Sequence, residues 1–405
     1  MPEHTGNSLG DLMRETFGAA VRRLRAEHTG MTLRTLARFT HVDPGHLSRI
    51  ERDLRPPTPD IAAVLDEALS ANGYLVGLAA DAGDLAARES AKLTDLLCGI
   101  SASDLVGRLA AETHQLAIAY LSSRPADMLD RAGALRRQAI GALHGGRLNR
   151  PGELADTVLY AGYLSGVISY AALDLNDARS AMTHAEAAWH AAKSAGSDPL
   201  RAWVRGTQSL IARFSSDFPR ALAYAEDGLR YATSGTARVR LLGGVAQCHA
   251  NMGSGPAARA ALGAAVFARD RAHEPDDLPG LFTFSQAKQH YYSGSALIWL
   301  DTEADARRAR AGAEQALALW AAAGSTDRAL DDEALAHIYA ATASLQLNDL
   351  ESAVESLNPI LDLPEDRRIS WIHKRLERVD AMLSAKPYAK DPLSIETRAR
   401  IAEYR

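Results

Sequence analysis

The sequence predicts an all-α protein: a small N-terminal helical domain followed by a long helical array. Apolar residues recur at i, i+3, i+4 and i+7 along the chain, and no segment sustains strand-like alternation between turn signals. Gly, Pro, Asp and Asn punctuate it at intervals of about one helix length. At 405 residues the chain exceeds what one hydrophobic core usually serves, so two or more domains, or a repeat array, are expected. With 47% hydrophobic and 23% charged residues the composition is that of a folded protein, which excludes disordered and collagen-like classes. No apolar run reaches the roughly 18 residues of a membrane span. Glu3, Asp11, Arg14 and Glu15 interrupt the stretch that a signal peptide needs apolar, so a cytoplasmic protein is expected. Cys98 and Cys248 are the only cysteines, too few for a disulfide framework or a CxxC pair.

The first helix, around Leu12 to Glu27, sets Phe17, Val21 and Leu24 on one apolar stripe, with Arg22, Arg23 and Arg25 elsewhere on its surface. Thr32 is a good N-cap for a second helix through Phe39, and Thr40-His41-Val42 breaks it. A third helix opens with Asp43 as cap and Pro44 at its first position, buries Leu47 and Ile50, and ends near Asp53. Pro56 and Pro57 forbid helix, and Thr58-Pro59-Asp60 starts a fourth with Ile61, Val64, Leu65 and Leu69 inward. Residues 12–55 hold nine Arg against five acids, a net of +4, which leaves -9 on the rest of a chain of formal charge -5. A basic head precedes an acidic body.

Two short helices joined by a three-residue turn, Leu33 to Arg52, form the helix-turn-helix pattern, whose second helix lies in the DNA major groove. The run from Thr32 to Arg52, with Leu36-Ala37, Val42 expected buried, Leu47-Ser48-Arg49-Ile50-Glu51-Arg52 and the Pro-containing loop after it, resembles the phage-repressor-like, xenobiotic-response-element type of helix-turn-helix regulator. Two positions depart from that family, His41 and Asp53, where it commonly has Gly; His tolerates positive φ better than a branched residue, and Asp can act as a local cap. The resemblance implies that Pro44, Gly45, His46, Ser48 and Arg49 face DNA, with Arg49 suited to bridge both acceptors of a guanine edge. It places Arg34, Arg38, Arg52 and Arg55, with Thr32, on phosphates. Glu51 is an unsuitable DNA ligand, and an intradomain partner, Arg14 or Arg22, is expected for it.

Beyond residue 80 the pattern predicts helices near 84–98, 102–121, 126–144, 152–173, 177–195, 199–215, 218–233, 236–251, 256–272, 280–300, 304–323, 328–347, 349–361 and 368–384. Small residues recur with spacings of 12 and 7 at Gly166/Ala178/Ala185, Ser209/Ala221/Gly228, Ala246/Ala258/Ala265 and Gly294/Ala306/Ala313, and Ala341/Ala353 continues the series until Ile360. This body is similar to a tetratricopeptide-like α-solenoid, with HEAT-like or irregular pairs as the alternative. The expected domains are a DNA-binding head at 1–80, connecting helices that start the solenoid at 81–150, repeats at 151–385, and a tail or helix at 386–405.

First helices of repeat pairs line a concave surface. Tyr163, Trp203, Arg205, Gln208, Phe284, Gln286, Gln289 and His290 are the candidate ligand residues there, since they mix apolar and hydrogen-bonding groups. Gly253-Ser254-Gly255-Pro256-Ala257-Ala258 follows a helix, where a dinucleotide fingerprint needs a strand, and reads as an inter-helix turn. His184 and His190 do not share a helix face, so no metal pair is expected, and no catalytic motif or cofactor site stands out.

The layout is similar to peptide-responsive quorum-sensing regulators. That likeness implies a cytoplasmic bacterial transcription regulator, a homodimer on a two-fold double-stranded DNA operator, and a peptide or small-molecule effector in the repeat domain. Scarce Asn on the lining helices weighs against a peptide and leaves a metabolite or partner protein. The second reading is a repeat scaffold for protein–protein contacts whose head does not bind DNA. An enzyme is not expected.

Overall fold

A computed structural model describes residues 15–27, 31–71, 73–79, 102–145, 148, 150–300, 302–323, 328–364 and 368–404. The helix expected over 84–98 and the start of the one expected from Leu12 lie outside them. Among the described residues there are helices and turns and no strand, so the fold is all-α. No described helix is long and apolar enough to cross a membrane. The chain divides into two compact units, 1–100 and 101–405.

In the first unit α1 spans Phe17–Glu27, α2 Leu33–Thr40, α3 Pro44–Glu51 and α4 Pro59–Ala68. The caps read from sequence are in place: Thr32 accepts from the Thr35 N–H (3.1 Å), Asp43 from His46 (2.8 Å) and Thr58 from Ile61 (3.3 Å). Phe17, Val21, Leu36, Leu47, Ile50 and Leu65 form the core. Val64 departs from the expected inner face of α4 and is 38% exposed, because the buried stripe runs through Ala62, Leu65 and Leu69. Asp66 shares that side and accepts from the N–H groups of Gly73 (2.7 Å) and Leu75 (2.8 Å), which anchors the next turn. Val42, expected buried, is half-buried against this core.

The second unit is a succession of antiparallel helices: α5 Ala102–Ala119, α6 Pro125–His144, α7 Pro151–Asp174, α8 Ala178–Ala195, α9 Asp198–Phe214, α10 Phe218–Gly228, α11 Ala237–Asn251, α12 Gly255–Arg269, α13 Gln286–Leu297, α14 Glu303–Ala322, α15 Leu330–Gln346, α16 Leu350–Leu361, α17 Ser370–Ser384 and α18 Pro392–Tyr404. The residues left open as tail or helix at the C-terminus thus form α18. The small residues seen in the sequence sit where paired helices cross: Ala221, Ala246, Ala258, Ala313, Ala341 and Ala353 are fully buried. At Gly166 a Cβ would stand 2.7 Å from the Trp203 ring, so the approach of α9 to α7 needs glycine there.

One turn recurs. After α7, α9, α11 and α15 a residue with positive φ (Asn176, Ser216, Gly253, Asn348) is followed by Asp177, Asp217, Ser254 and Asp349. In each case the latter residue's N–H bonds the carbonyl five residues back, at 2.8–2.9 Å. Three of the four followers then cap the next helix through their carboxylates. The Gly253-Ser254-Gly255 stretch is one of these turns.

The helix expected over 280–300 begins only at Gln286, capped by Ser285. Gly280–Phe282 is instead a 3-10 turn at the tip of the loop after α12, where Gly280 has φ +63 and a Cβ would overlap the Ala117 carbonyl. Leu278, Leu281 and Phe282 from this loop are buried against α5, α7 and α9. Farther along, the array turns back on its beginning. The Leu330 N–H bonds the Leu121 carbonyl at 3.0 Å. Helix α17 crosses the ends of earlier helices: the Ser370 hydroxyl donates to the Leu173 carbonyl (2.9 Å), Lys374 to the Phe214 carbonyl and Arg378 to the Ile298 carbonyl (2.8 Å).

Candidate functional site

The turn between α2 and α3 requires a left-handed residue, and His41 supplies it with φ +54. Asp53 does the same after α3, with φ +55, and its carboxylate accepts from the Gly18 N–H (2.8 Å) and the Thr16 hydroxyl (2.7 Å). The second departure from the Gly-bearing pattern therefore ties the end of α3 to the start of α1. Glu51, 6% exposed, accepts two bonds from Arg25, at 2.6 and 3.0 Å. The partner is thus Arg25: the inward side of α1 faces α3 there, whereas Arg22 is exposed, and Arg14 lies outside the described residues. These bonds raise the Arg25 pKa above its ordinary value.

With Leu47, Ile50 and Glu51 inward, the opposite face of α3 carries Pro44, Gly45, Ser48, Arg49 and Arg52. Of these Ser48 is half-buried and the others exposed, and Arg52 donates from Nε to the Ser48 carbonyl (3.1 Å). His46 is half-buried, and its Nε2 has no hydrogen-bond partner. On α2, Arg34 and Arg38 are exposed one turn apart; Thr32 is exposed at its N-terminus, and Arg55 lies exposed beyond α3.

The arginines of this unit sort into two groups. Arg23 bonds Glu15 and Glu27, and Arg25 bonds Glu51. Arg22, Arg34, Arg38, Arg49, Arg52 and Arg55 make no ion pair with any described residue. Their charges are answered only by solvent, and a polyanion is the complementary partner. Sequence reading missed two neighbours of this face, Phe39 (62% exposed) and Leu54 (67% exposed). The available signal was that Phe39 falls off the Leu33, Leu36, Ala37, Thr40 stripe.

The ligand residues expected in the body are not brought to one site. Tyr163 and Trp203 hold the loop after α12: the Tyr163 hydroxyl donates to Asp277 (3.1 Å), Trp203 Nε1 to the Leu281 carbonyl (3.3 Å), and both rings pack on Phe282. Arg205 donates to Asp227 (2.6 Å) and to the buried Gln208 (2.7 Å) and lies over the Trp189 ring. Phe284 is buried edge-on against Tyr292, and Gln289 accepts from Arg269 (2.8 Å). Gln286 is exposed, and His290 is half-buried with its pKa lowered by that burial and then by Arg269.

A cavity of about 360 Å³ lies elsewhere in the body, where α7, α9, α11, α13 and α15 face the crossing helix α17. Tyr170, on the same helix as Tyr163, and Lys288, Tyr291 and Tyr292, on the same helix as Gln286, Gln289 and His290, line it together with residues of α15 and α17. Among the described residues no cluster of His, Cys, Asp and Glu is placed to hold a metal ion.

A search of curated proteins found no match to the chain. Residues 16–76 match a protein-family model described as a helix-turn-helix domain, and the part of the chain that bears the unpaired arginines is thus a helix-turn-helix domain.

Proposed function

We propose that this chain is a sequence-specific DNA-binding transcription regulator whose helical-repeat body dimerises and senses a ligand in the cytoplasm. The observation that carries this reading is the placement of arginines: Arg23 and Arg25 on α1 are spent on internal carboxylates, while Arg34, Arg38, Arg49 and Arg55 lie around the exposed face of α3 with no ion pair to a described residue. In this reading residues 1–80 are the reader, with Arg49 on a base edge, Ser48, Pro44 and Gly45 beside it, and Arg34, Arg38, Arg52, Arg55 and Thr32 on phosphates. A single head touches few base pairs, so two copies on a two-fold operator supply the specificity.

The recurring turn and buried small residues support a tetratricopeptide-like body over 151–385. Its cavity, about 360 Å³, suits a small molecule better than the extended peptide of quorum-sensing regulators with this layout. The test is fluorescence anisotropy of the full chain on genomic fragments selected by it. Arg49→Ala is expected to cost about 1–3 kcal/mol on the selected site and to relax preference at one base pair, whereas Arg34→Ala weakens all sequences alike and lowers the salt slope by about 1. Absence of any sequence-dependent binding at low salt sinks the reading and leaves the scaffold alternative.

A further inference from the structure

The cavity in the body is walled by aromatic rings. Tyr291 and Tyr339 stack with ring centroids 5.5 Å apart, Tyr292 meets Tyr291 edge-on at 5.3 Å, and Tyr170, Trp299 and Trp371 also line the space. Such rings offer faces and edges, the two surfaces on which another aromatic ring packs best.

Acidic and basic side chains line the same space, and they differ in what answers them. Asp174 accepts from the Tyr120 hydroxyl (2.7 Å), Asp332 lies 3.7 Å from Lys288, and Asp331 is engaged as well. Burial, followed by the charge of Asp331, also lifts the Asp174 pKa well above the carboxylate range. The half-buried Arg213, Lys374 and Arg375, by contrast, have no carboxylate partner among the described residues. Lys374 donates to the Phe214 carbonyl and Arg375 from Nε to the Tyr339 hydroxyl (3.3 Å), while Arg213 makes no hydrogen bond to a described residue. Because Phe214 follows Arg213 directly, the bond from Lys374 brings these cations together where α17 meets the end of α9. Glu377, the next acid along α17, is exposed to solvent. Aromatic faces hold the guanidinium groups: Arg375 lies over Trp371 (5.1 Å) and Trp299 (5.5 Å), and Arg213 over Tyr292 (5.7 Å). A guanidinium stacked by its face keeps the N–H donors of its edge for an anion. Five basic side chains line the cavity against four acidic ones, an excess of one positive charge.

We propose that this cavity binds a small aromatic carboxylate, its ring among the tyrosines and its carboxylate on Arg375 and Arg213 with Lys374 beside them. A neutral aromatic molecule leaves half-buried cations without a counter-charge, which is costly away from water. An aliphatic acid leaves the ring faces without a matching partner, and a polyanion exceeds the single charge in excess. The volume, about 360 Å³, is near the low end of small-molecule sites and short of an extended peptide.

The proposal names the ligand class of the sensing body and rests on that reading. Binding to the body is measured without DNA, so its failure leaves the DNA-binding reading standing, and the reverse holds too. The full chain is titrated calorimetrically with phenylacetate, naphthoate and indoleacetate, with their primary amides, and with their counterparts in which the rings are saturated. At least one aryl carboxylate is expected to bind, its amide about tenfold or more weaker and its saturated counterpart about threefold or more weaker. Arg375→Gln is expected to weaken the carboxylate about tenfold while leaving the amide unchanged. A circular-dichroism melt verifies that this variant folds, and Arg213→Gln takes its place if it does not. Three results overturn the proposal: no aryl carboxylate binds, an amide or saturated counterpart binds as tightly as its parent, or the folded variant keeps the full affinity for the carboxylate.

Discussion

Asp53 is a demanding test of how the reader domain is built, because one side chain performs two separable tasks. It holds φ +55, and it accepts from the Gly18 N–H at 2.8 Å and the Thr16 hydroxyl at 2.7 Å across 35 and 37 residues. Those bonds satisfy a donor in the first turn of α1, the kind of contact whose loss costs about 1 kcal/mol. A left-handed backbone at an alanine costs roughly 1–2 kcal/mol more, and at glycine nothing. Since Asp53 is exposed, the lower end of both ranges applies. Asp53→Ala should therefore destabilise the reader by about 2 kcal/mol and Asp53→Gly by about 1 kcal/mol. All five Trp lie beyond residue 180, so tryptophan fluorescence does not report on this unit. Amide hydrogen exchange of the full chain over α1 and α3 does, with protection reduced about 30-fold in the Ala variant and about fivefold in the Gly variant. Equal loss in the two variants would refute the strain argument, and wild-type protection in Asp53→Gly would refute the cap.

Three further outcomes are expected. Arg25→Met strands the buried Glu51 carboxylate and should lower reader stability by about 2–3 kcal/mol, less than a fully buried pair because 22% of the Arg25 side chain is exposed. Adding Glu51→Leu should restore most of that loss, as read by the same exchange experiment. Gly263 lies exposed inside α12 with open space around it, so Gly263→Ala should stabilise the body by up to about 1 kcal/mol in urea unfolding. Gly166→Ala, whose new methyl meets the Trp203 ring, should forfeit that gain and fall to or below wild type. Finally, burial raises the folded-state pKa of Asp174, so its contribution to stability is complete below the ordinary carboxyl value of 3.8 and is lost as pH rises through the folded value. Asp174→Asn should accordingly raise the melting temperature at neutral pH, with the gain vanishing toward pH 3.8; a melting temperature unchanged at neutral pH contradicts the assignment.

Most of the reader was legible in sequence because its signals are local. Thr32, Asp43 and Thr58 cap the helices they precede, and Leu47 and Ile50 point inward as their spacing requires. What escaped was tertiary: which arginine of α1 faces Glu51 depends on how α1 lies across α3, and the cap from Asp53 to Gly18 joins residues far apart. In the body, small residues and breakers marked the helix pairs, and the recurring Asn/Ser-Asp turn was readable although it was not read. The loop around Gly280 carries apolar residues at near-helical spacing, yet they seat against Tyr163 and Trp203, which had looked like a ligand surface. The cavity lay beyond local reasoning, since Asp174 and Lys374 meet only because α17 crosses back. A signal was present in Trp371, Lys374, Arg375 and Arg378, which repeat on one helical face.

The return of the last helices to the first sets an order on synthesis. The bond from Ser370 to Leu173 spans 197 residues, and the one from Leu330 to Leu121 likewise joins the two ends of the body. A growing chain releases the reader first, whose contacts are short-range, and can fold it while the body is still open at one side. The body cannot lock until α17 has been made, and a chain cut short before Ser370 carries a reader joined to an unclosed array with its tyrosines and aspartates bare. Such a fragment would keep a folded helix-turn-helix domain without the cavity that only the complete body forms.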